Sequence, residues 1–171
     1  MTNKDMTELF SVMLLAWPQA EMFKGGIAKL GPTIELWTAC TKDIDVWTGQ
    51  QAVVLLCKTS KFPPTIAEFR QQAEVVEQKT RDCILADWGG LRRCAMGLKR
   101  FGGIDPAAVR RWYQGLPPGL AKSAVDTMGG PDKLLIGDGK GLDFGGFSRA
   151  YKSVMRSKTT LPAGQKKLKG V

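Results

Sequence analysis

The sequence predicts an all-α protein. Apolar residues recur at helical spacing in several segments, prolines and paired glycines interrupt those segments, and no segment shows the sustained period-two alternation of a strand. The 171 residues suffice for one ordinary domain or for two small helical units. We therefore expect a set of short packed helices and no strands.

Three helices are expected in the first third of the chain. The first ends at Pro18, the second covers residues 33–40, and the third is capped by Asp45 and ends near Lys58. The first helix is amphipathic, because its apolar residues follow the i, i+3, i+4 spacing of one buried stripe. That stripe consists of Met6, Leu9, Phe10, Met13, Leu14 and Trp17.

A rigid turn and a helix start follow. Pro63 and Pro64 prevent the third helix from continuing. Thr65, with Glu68 three residues later, has the pattern of a capping box, in which each side chain binds the backbone amide of the other residue. A fourth helix should therefore begin at Thr65. Its apolar positions are Ile66, Phe69, Ala73, Val76, Cys83 and Ile84.

Glycines and prolines divide the second half of the sequence into short segments. Gly89 and Gly90 predict a bend or break, since each glycine inside a helix costs roughly 1 kcal/mol relative to alanine. A further helix is expected over residues 91–101. Asp105, with Pro106 in the first turn, should begin a short helix that ends before Pro117 and Pro118.

The last part of the chain should hold two helices around a loop. Leu120, Ala121, Ala124, Val125 and Met128 form the apolar face of one helix. Residues 137–146 are rich enough in glycine to predict a flexible loop. The final helix should run from Phe144 or Phe147 to about Ser157. Its buried residues should be Phe147, Ala150, Tyr151, Val154 and Met155.

Charge is divided unequally along the chain. Residues 1–90 hold nine Lys and Arg against eleven Asp and Glu, a net −2, and residues 91–171 hold sixteen against five, a net +11. A basic half suits nucleic acid or an acidic protein surface. We predict an N-terminal helical bundle over residues 1–88, a basic helical region over residues 89–157 and a flexible basic tail over residues 158–171.

The composition argues against several functional classes. The chain has no histidine, which removes the usual general base of a catalytic triad or dyad. The segment around Gly139 and Lys140 is not a phosphate-binding loop, because Leu134 replaces its first glycine and Gly141 replaces the Ser or Thr that binds magnesium. Asp138 and Asp143 are the only carboxylates that could be considered as a general acid or base, and nothing in the sequence predicts how they would be oriented. We therefore predict a binding protein and not an enzyme.

Cofactors, metals and membranes are not expected either. The four cysteines have no metal-binding spacing and are predicted to be reduced thiols in the core of a cytosolic protein. They are Cys40, Cys57, Cys83 and Cys94. The longest apolar runs fall well short of the ~18 residues that a membrane span requires. No secretory leader is apparent at the start.

The segment from residue 62 to residue 68 also carries a family resemblance. Together with Trp17 and Pro18, Trp37 and the acidic stretch 43–45, it resembles the phage family that loads and inhibits the replicative hexameric helicase. The family motif residues are Phe62, Pro63, Pro64, Thr65, Ile66 and Glu68. The second half is similar to a region of related phage replication proteins, through segments 88–102, 109–113, 128–130 and 147–151.

The resemblance implies a protein that binds a DnaB-type helicase, restrains it and loads it at the phage origin in the bacterial cytoplasm, with an origin-binding initiator as a possible second partner. The C-terminal half is the part expected to engage the helicase. The basic tail could add weak, non-specific contact with nucleic acid through Lys166, Lys167 and Lys169.

Two groups in the basic half are candidate partner contacts. One combines aromatic residues with arginines, a composition enriched at interface hot spots, although core aromatics beside solvated arginines fit equally well. The other lies on the last helix, where the cations could face solvent, the helicase or DNA phosphates. The groups are Arg110, Arg111, Trp112 and Tyr113, and Arg149, Tyr151, Lys152 and Arg156.

A second interpretation assigns the protein to a different functional class. The net charge of +11 on the second half also suits a DNA-binding phage replication or packaging protein that binds duplex DNA through this half. Against it, no helix-turn-helix spacing with a polar recognition face is apparent.

Overall fold

The computed structural model describes residues 1–96, 104–136 and 141–159. Over these residues the chain is mainly helical, which confirms the predicted all-α class. The helices are α1 (Asn3–Ala16), α2 (Gly31–Thr41), α3 (Val46–Thr59), α4 (Ile66–Met96), α5 (Pro106–Gly115), α6 (Leu120–Thr127) and α7 (Phe144–Thr159). Short 3-10 turns lie at Glu21–Phe23, Ile27–Lys29 and Pro131–Leu134. Within the described ranges, no helix has both the length and the apolar character needed to cross a bilayer.

The chain divides into two compact units, Met1–Lys79 and Thr80–Val171. The division falls within α4, whereas the sequence analysis places its boundary at residues 88/89. The first unit holds eight Lys and Arg against nine Asp and Glu, a net −1, and the second holds seventeen against seven, a net +10. The excess positive charge therefore belongs to the second unit.

An aromatic cluster lies at the centre of the first unit. The ring of Phe10 in α1 packs edge-on against Trp37 of α2 and Phe23, at centroid distances of 5.3 and 6.2 Å. Trp37 in turn lies 5.6 Å from Phe69 of α4. All four rings are buried. The core therefore joins α1, α2 and the start of α4, and α3 closes it with Ala52, Val53 and Leu56.

A second aromatic cluster organises the second unit. Trp88 of α4 lies 5.4 Å from Phe147 and 5.2 Å from Phe144, both in α7, and Phe147 lies 5.7 Å from Tyr151. Aliphatic side chains from α4, α5, α6 and the 131–134 turn complete this core. They include Leu91, Val109, Val125 and Leu134, all fully buried.

The predicted break at Gly89 and Gly90 is wrong. The fourth helix continues through both residues to Met96, and the separate helix expected over residues 91–101 is its continuation as far as residue 96. Residues 97–103 lie outside the described part of the chain. Burial of Trp88, Leu91 and Ala95 on the same face of α4 accounts for the continuity, because it outweighs the modest helical penalty of two glycines.

A small sheet replaces part of the predicted glycine-rich loop. Two-residue strands, β1 (Leu135–Ile136) and β2 (Gly141–Leu142), pair antiparallel with Leu135 opposite Leu142. Residues 144–146 are helical. Such short strands cannot show a period-two pattern, so the sequence carries no signal for them.

The cysteines are free, but they are not core residues as predicted. Cys57, Cys83 and Cys94 are exposed and Cys40 is half-buried. On α4, Cys83 and Cys94 lie away from the stripe that enters the core, which is formed by Ile84, Trp88 and Leu91.

Candidate partner-binding surfaces

The family motif forms the predicted capping box. The Glu68 amide donates to Thr65 Oγ1 at 3.2 Å, and the Thr65 amide donates to Glu68 Oε2 at 2.7 Å. The bond from the Thr65 backbone, followed by that from its hydroxyl, lowers the pKa of Glu68. The helix start predicted from the Thr-x-x-Glu spacing is confirmed, and the motif fixes the direction in which α4 leaves the turn.

The same turn presents Phe62 to solvent. The Ser60 hydroxyl donates to the Phe62 carbonyl at 2.7 Å, and the Ser60 carbonyl accepts the Trp17 indole N–H at 3.3 Å. Pro64 is buried, while the Phe62 side chain is 75% exposed. The motif thus makes a well-fixed turn between packed helices and holds one aromatic ring outward.

The acidic stretch 43–45 serves the fold of the first unit. Asp45 caps α3, accepting from the amides of Trp47 at 3.1 Å and Thr48 at 3.3 Å. Asp43 forms a salt bridge with Arg70 at 2.8 Å. The hydrogen bonds from Arg70 lower the pKa of Asp43 to about 2. These residues therefore lock α2, α3 and α4 together.

The two arginines of α5 are paired with carboxylates. Arg110 Nε lies 2.8 Å from Asp132 Oδ1, and Arg111 Nη2 lies 3.3 Å from Asp105 Oδ2. Asp105 also caps α5 by accepting from the Ala107 amide at 2.9 Å. Both arginine side chains remain more than half exposed. Their positive charge is partly neutralised but accessible.

The aromatic residues of α5 are half-buried. Trp112 and Tyr113 pack against the core of the second unit. The Tyr113 hydroxyl donates to Asp126, and that hydrogen bond raises the pKa of Tyr113. The Lys122 ammonium lies 5.2 Å from the centre of the Tyr113 ring, within cation–π range. The α5 surface therefore joins an aromatic edge to cations and carboxylates.

The cations of α7 lie opposite its buried stripe. Phe147, Ala150, Tyr151 and Val154 enter the core, whereas Arg149, Lys152 and Arg156 are exposed. We call these three cations the α7 ridge. Their spacing of three and four residues puts them on one side of the helix, about 4.5 and 6 Å apart along its axis. The Arg149 guanidinium lies over Gly145, 3.3 Å from the position a Cβ would take there.

Tyr151, which the sequence analysis placed among the partner contacts, lies inside the fold. It is 3% exposed, and its hydroxyl donates to Asp87 Oδ2 of α4 at 2.7 Å. Burial, and then the hydrogen bond to Asp87, raise the pKa of Tyr151. Tyr151 ties α7 to α4 and is not available as a surface contact.

The 3-10 turn at Pro131–Leu134 contacts α5, α6 and α7, so both candidate groups belong to one packed unit. Sequence reasoning missed the acidic partners of the α5 group, Asp105, Asp126 and Asp132. Arg110 and Asp132 are 22 residues apart in the sequence. Local sequence patterns do not predict an ion pair between residues at that separation.

The remaining candidates have structural roles or fall outside the described residues. Asp143 accepts from the Gly146 amide at 2.7 Å and caps α7. Asp138 and the tail lysines Lys166, Lys167 and Lys169 lie outside the described part of the chain. Within residues 1–96, 104–136 and 141–159, no group of three Cys, Asp or Glu side chains is placed to hold a metal ion.

The N-terminal segment of the chain matches the model of a known protein family. The family model for the N-terminal domain of the gene 39 protein matches residues 1–70, which include α1, α2, α3 and the motif that opens α4. No curated protein and no solved structure matches the chain. The matching family consists of phage proteins that load or inhibit a helicase and are not enzymes. Residues 1–70 are therefore similar to the N-terminal domain of the helicase loader/inhibitor (gene 39 protein) family, and this similarity indicates a phage protein that interacts with a helicase.

Proposed function

We propose that this protein binds a DnaB-type replicative hexameric helicase, restrains it while it is away from DNA and loads it at the phage origin in the bacterial cytoplasm. An origin-binding initiator is the second protein partner. The observation that carries the proposal is the match of residues 1–70 to the helicase loader/inhibitor domain.

The second unit is the proposed helicase-binding part. It carries a net +10, whereas the first unit carries −1. On α5, the exposed Arg110 and Arg111 adjoin the half-buried Trp112 and Tyr113, and these are residue types enriched at interface hot spots. An acidic surface of the helicase would complement this charge and speed association.

The α5 ion pairs are suited to exchange. Arg110 and Arg111 are 57% and 59% exposed, and ion pairs at such positions are worth at most about 1 kcal/mol. Replacing Asp132 and Asp105 by carboxylates of a partner would therefore cost little. The aromatic rings beside them are already held in place by packing, so little conformational entropy is lost on binding.

Restraint and loading both require unequal affinity for different states of the helicase. A ligand shifts a conformational equilibrium only by the difference in its affinities for the two states. The protein must therefore bind the idle or open ring more tightly than the translocating ring. Release at the origin then follows when the initiator and DNA stabilise the translocating form.

Co-purification tests which unit holds the interface. The full chain should retain the helicase, and a truncation after Gly90 should remain folded but lose it, because it keeps the whole first unit and removes α5, α6 and α7. Retention of the helicase by residues 1–90 alone would refute this assignment. Full-length protein that leaves helicase ATPase, unwinding and oligomeric state unchanged under all nucleotide conditions would refute the function itself.

Charge reversal within the full chain tests the α5 surface. Arg110→Glu with Arg111→Glu should weaken helicase binding at least tenfold, because it opposes an acidic partner with two new carboxylates. Arg92→Glu with Arg93→Glu is the matched control, since both residues are exposed on α4 and the change in net charge is identical. Equal losses in both variants would show that net charge, and not the α5 surface, governs binding.

The rival function, a DNA-binding replication or packaging protein, is supported by the positive charge of the second unit alone. A gel-shift assay with duplex DNA distinguishes this function from helicase loading. Tight, salt-resistant binding to duplex DNA without affinity for the helicase would favour the rival.

A further inference from the structure

The α7 ridge lies in a part of the sequence that contains no carboxylate. The last acidic residue of the sequence is Asp143, and residues 144–171 contain seven Lys and Arg and no Asp or Glu. Arg110 and Arg111 of α5, by contrast, face Asp132 and Asp105. In the part of the chain that the structure describes, Arg149 and Lys152 form no ion pair.

The ridge contains no aromatic residue of the kind that anchors protein-binding hot spots. Its surroundings on α7 are small or hydroxyl-bearing residues, such as Gly145 and the exposed Ser153. The only tyrosine of α7, Tyr151, is buried on the opposite side. Protein interfaces are depleted in charge at their centre and anchored by aromatic residues, whereas phosphate contacts are made by Arg, Lys and hydroxyl groups.

We propose that the α7 ridge binds the phosphodiester backbone of nucleic acid. Arg149, Lys152 and Arg156 project from one side of a helix whose opposite side is packed in the core, so the fold fixes the backbone positions of the three cations. The spacing of about 4.5 and 6 Å along the helix axis allows the three cations to contact neighbouring phosphates.

The chemistry of the ridge also predicts the form of recognition. Contacts with phosphate oxygens carry no direct information on base identity, so binding of the backbone by the ridge should be independent of base sequence. The one partly exposed ring of α7, Phe144, begins the helix and packs against Trp88, so no ring beside the ridge is free for unpaired bases to stack on. Duplex DNA, with about one phosphate charge per 1.7 Å of its axis, should therefore bind more tightly than a single strand of the same length.

This activity goes beyond helicase binding and does not depend on it. A protein that holds the helicase with one surface and the DNA backbone with another would bring the two together. The ridge would then supply the non-specific attachment, and the initiator would supply the choice of site.

The test is fluorescence anisotropy of the full-length protein with a labelled duplex of about 20 base pairs, and with its single strand, in the absence of helicase. Three phosphate contacts predict an affinity loss of roughly 40-fold between about 50 and 200 mM salt. Arg149→Gln with Lys152→Gln should weaken duplex binding roughly tenfold or more and reduce the log–log salt slope by about 1.8. Unchanged circular dichroism should accompany this loss, since both side chains are exposed.

Two control variants separate the ridge from other sources of charge. Lys58→Gln with Lys61→Gln removes the same charge from exposed positions of the first unit and should leave both affinity and salt slope nearly unchanged. Lys166→Gln with Lys167→Gln removes it from the tail. If the tail variant abolishes duplex binding and the ridge variant does not, the proposal is overturned.

Two further outcomes bear on the proposal. A ridge variant that binds duplex normally but loses the helicase would overturn it and make the ridge part of the helicase interface. Duplex binding that fails only in the ridge variant would support it whether or not the protein binds a helicase, because the DNA measurement contains no helicase.

Discussion

Arg70 holds Asp43 in a two-point salt bridge, with Nη1 2.9 Å from Oδ1 and Nη2 2.8 Å from Oδ2. The same guanidinium donates to the Cys40 carbonyl near the end of α2. Arg70 is the last residue that the family match covers. The salt bridge therefore joins the acidic stretch before α3 to the first turns of α4 and closes the family domain.

This salt bridge predicts a measurable titration. The pKa of Asp43 is lowered from 3.8 to about 2, so the stabilisation is fully present above pH 3.8 and is lost as pH falls through about 2. In Arg70→Gln the pKa of Asp43 should return towards its ordinary value. Carboxyl NMR titration measures it. Arg70→Lys, which keeps the charge but loses the two-point geometry, should give an intermediate value, and a pKa unchanged in both variants would contradict the assignment.

The capping box at α4 predicts a loss of stability on removing one hydroxyl. Thr65→Ala should lower the free energy of unfolding by about 1 kcal/mol, because the Glu68 amide loses its acceptor. Urea denaturation measures the change. Thr59→Ala is the control, since the Thr59 hydroxyl donates to the Leu55 carbonyl at 3.0 Å and caps nothing. Equal effects at the two sites would argue against a capping role.

Gly146 and Gly145 should respond differently to alanine. A Cβ at Gly146 would fall on the Asp143 carboxylate that caps α7 and lie 2.9 Å from Met128 Cε. Gly146→Ala should therefore destabilise the second unit by about 1–3 kcal/mol. A Cβ at Gly145 has its nearest neighbour, Arg149 Nη1, at 3.3 Å, so Gly145→Ala should be neutral or slightly stabilising. Thermal melts of the two variants make the comparison, and similar melts would contradict it.

Tyr151→Phe tests the link between α7 and α4. Loss of the hydrogen bond to the half-buried Asp87 carboxylate should cost about 1.5 kcal/mol. Since the pKa of Tyr151 is raised above 10, the bond should persist up to pH 10, and its contribution should decline only at higher pH. Denaturation at several pH values measures this. Asp87→Asn, which retains an acceptor, should lose less, and a greater loss would show that Tyr151 is not the main partner of Asp87.

The continuity of α4 can be tested at its two glycines. A Cβ at Gly90 would lie 3.8 Å from Trp112 Nε1, and one at Gly89 would lie 3.4 Å from Arg93 Nη1. Both sites have room, so alanine at each should raise stability by up to about 1 kcal/mol without altering helix content. Circular dichroism and denaturation measure the two effects. A loss of helicity or stability would indicate that the chain bends there.

Local patterns account for most of what could be predicted. The Thr65–Glu68 capping box, the Asp45 and Asp105 caps and the amphipathic stripes are visible in sequence because their partners lie within one or two helical turns. The same patterns did not reveal that α4 continues through Gly89 and Gly90, since that depends on burial of Trp88 against helices distant in sequence.

The sequence by itself determined the helical class, the helix starts and the accumulation of positive charge after Asp143. Only the tertiary structure decided which cations are paired with carboxylates and which face outward, that Tyr151 is internal, and that three of the four cysteines are exposed. Caps and helical stripes depend on neighbours a few residues away, whereas burial and ion pairing depend on residues that the folded chain brings together from far apart.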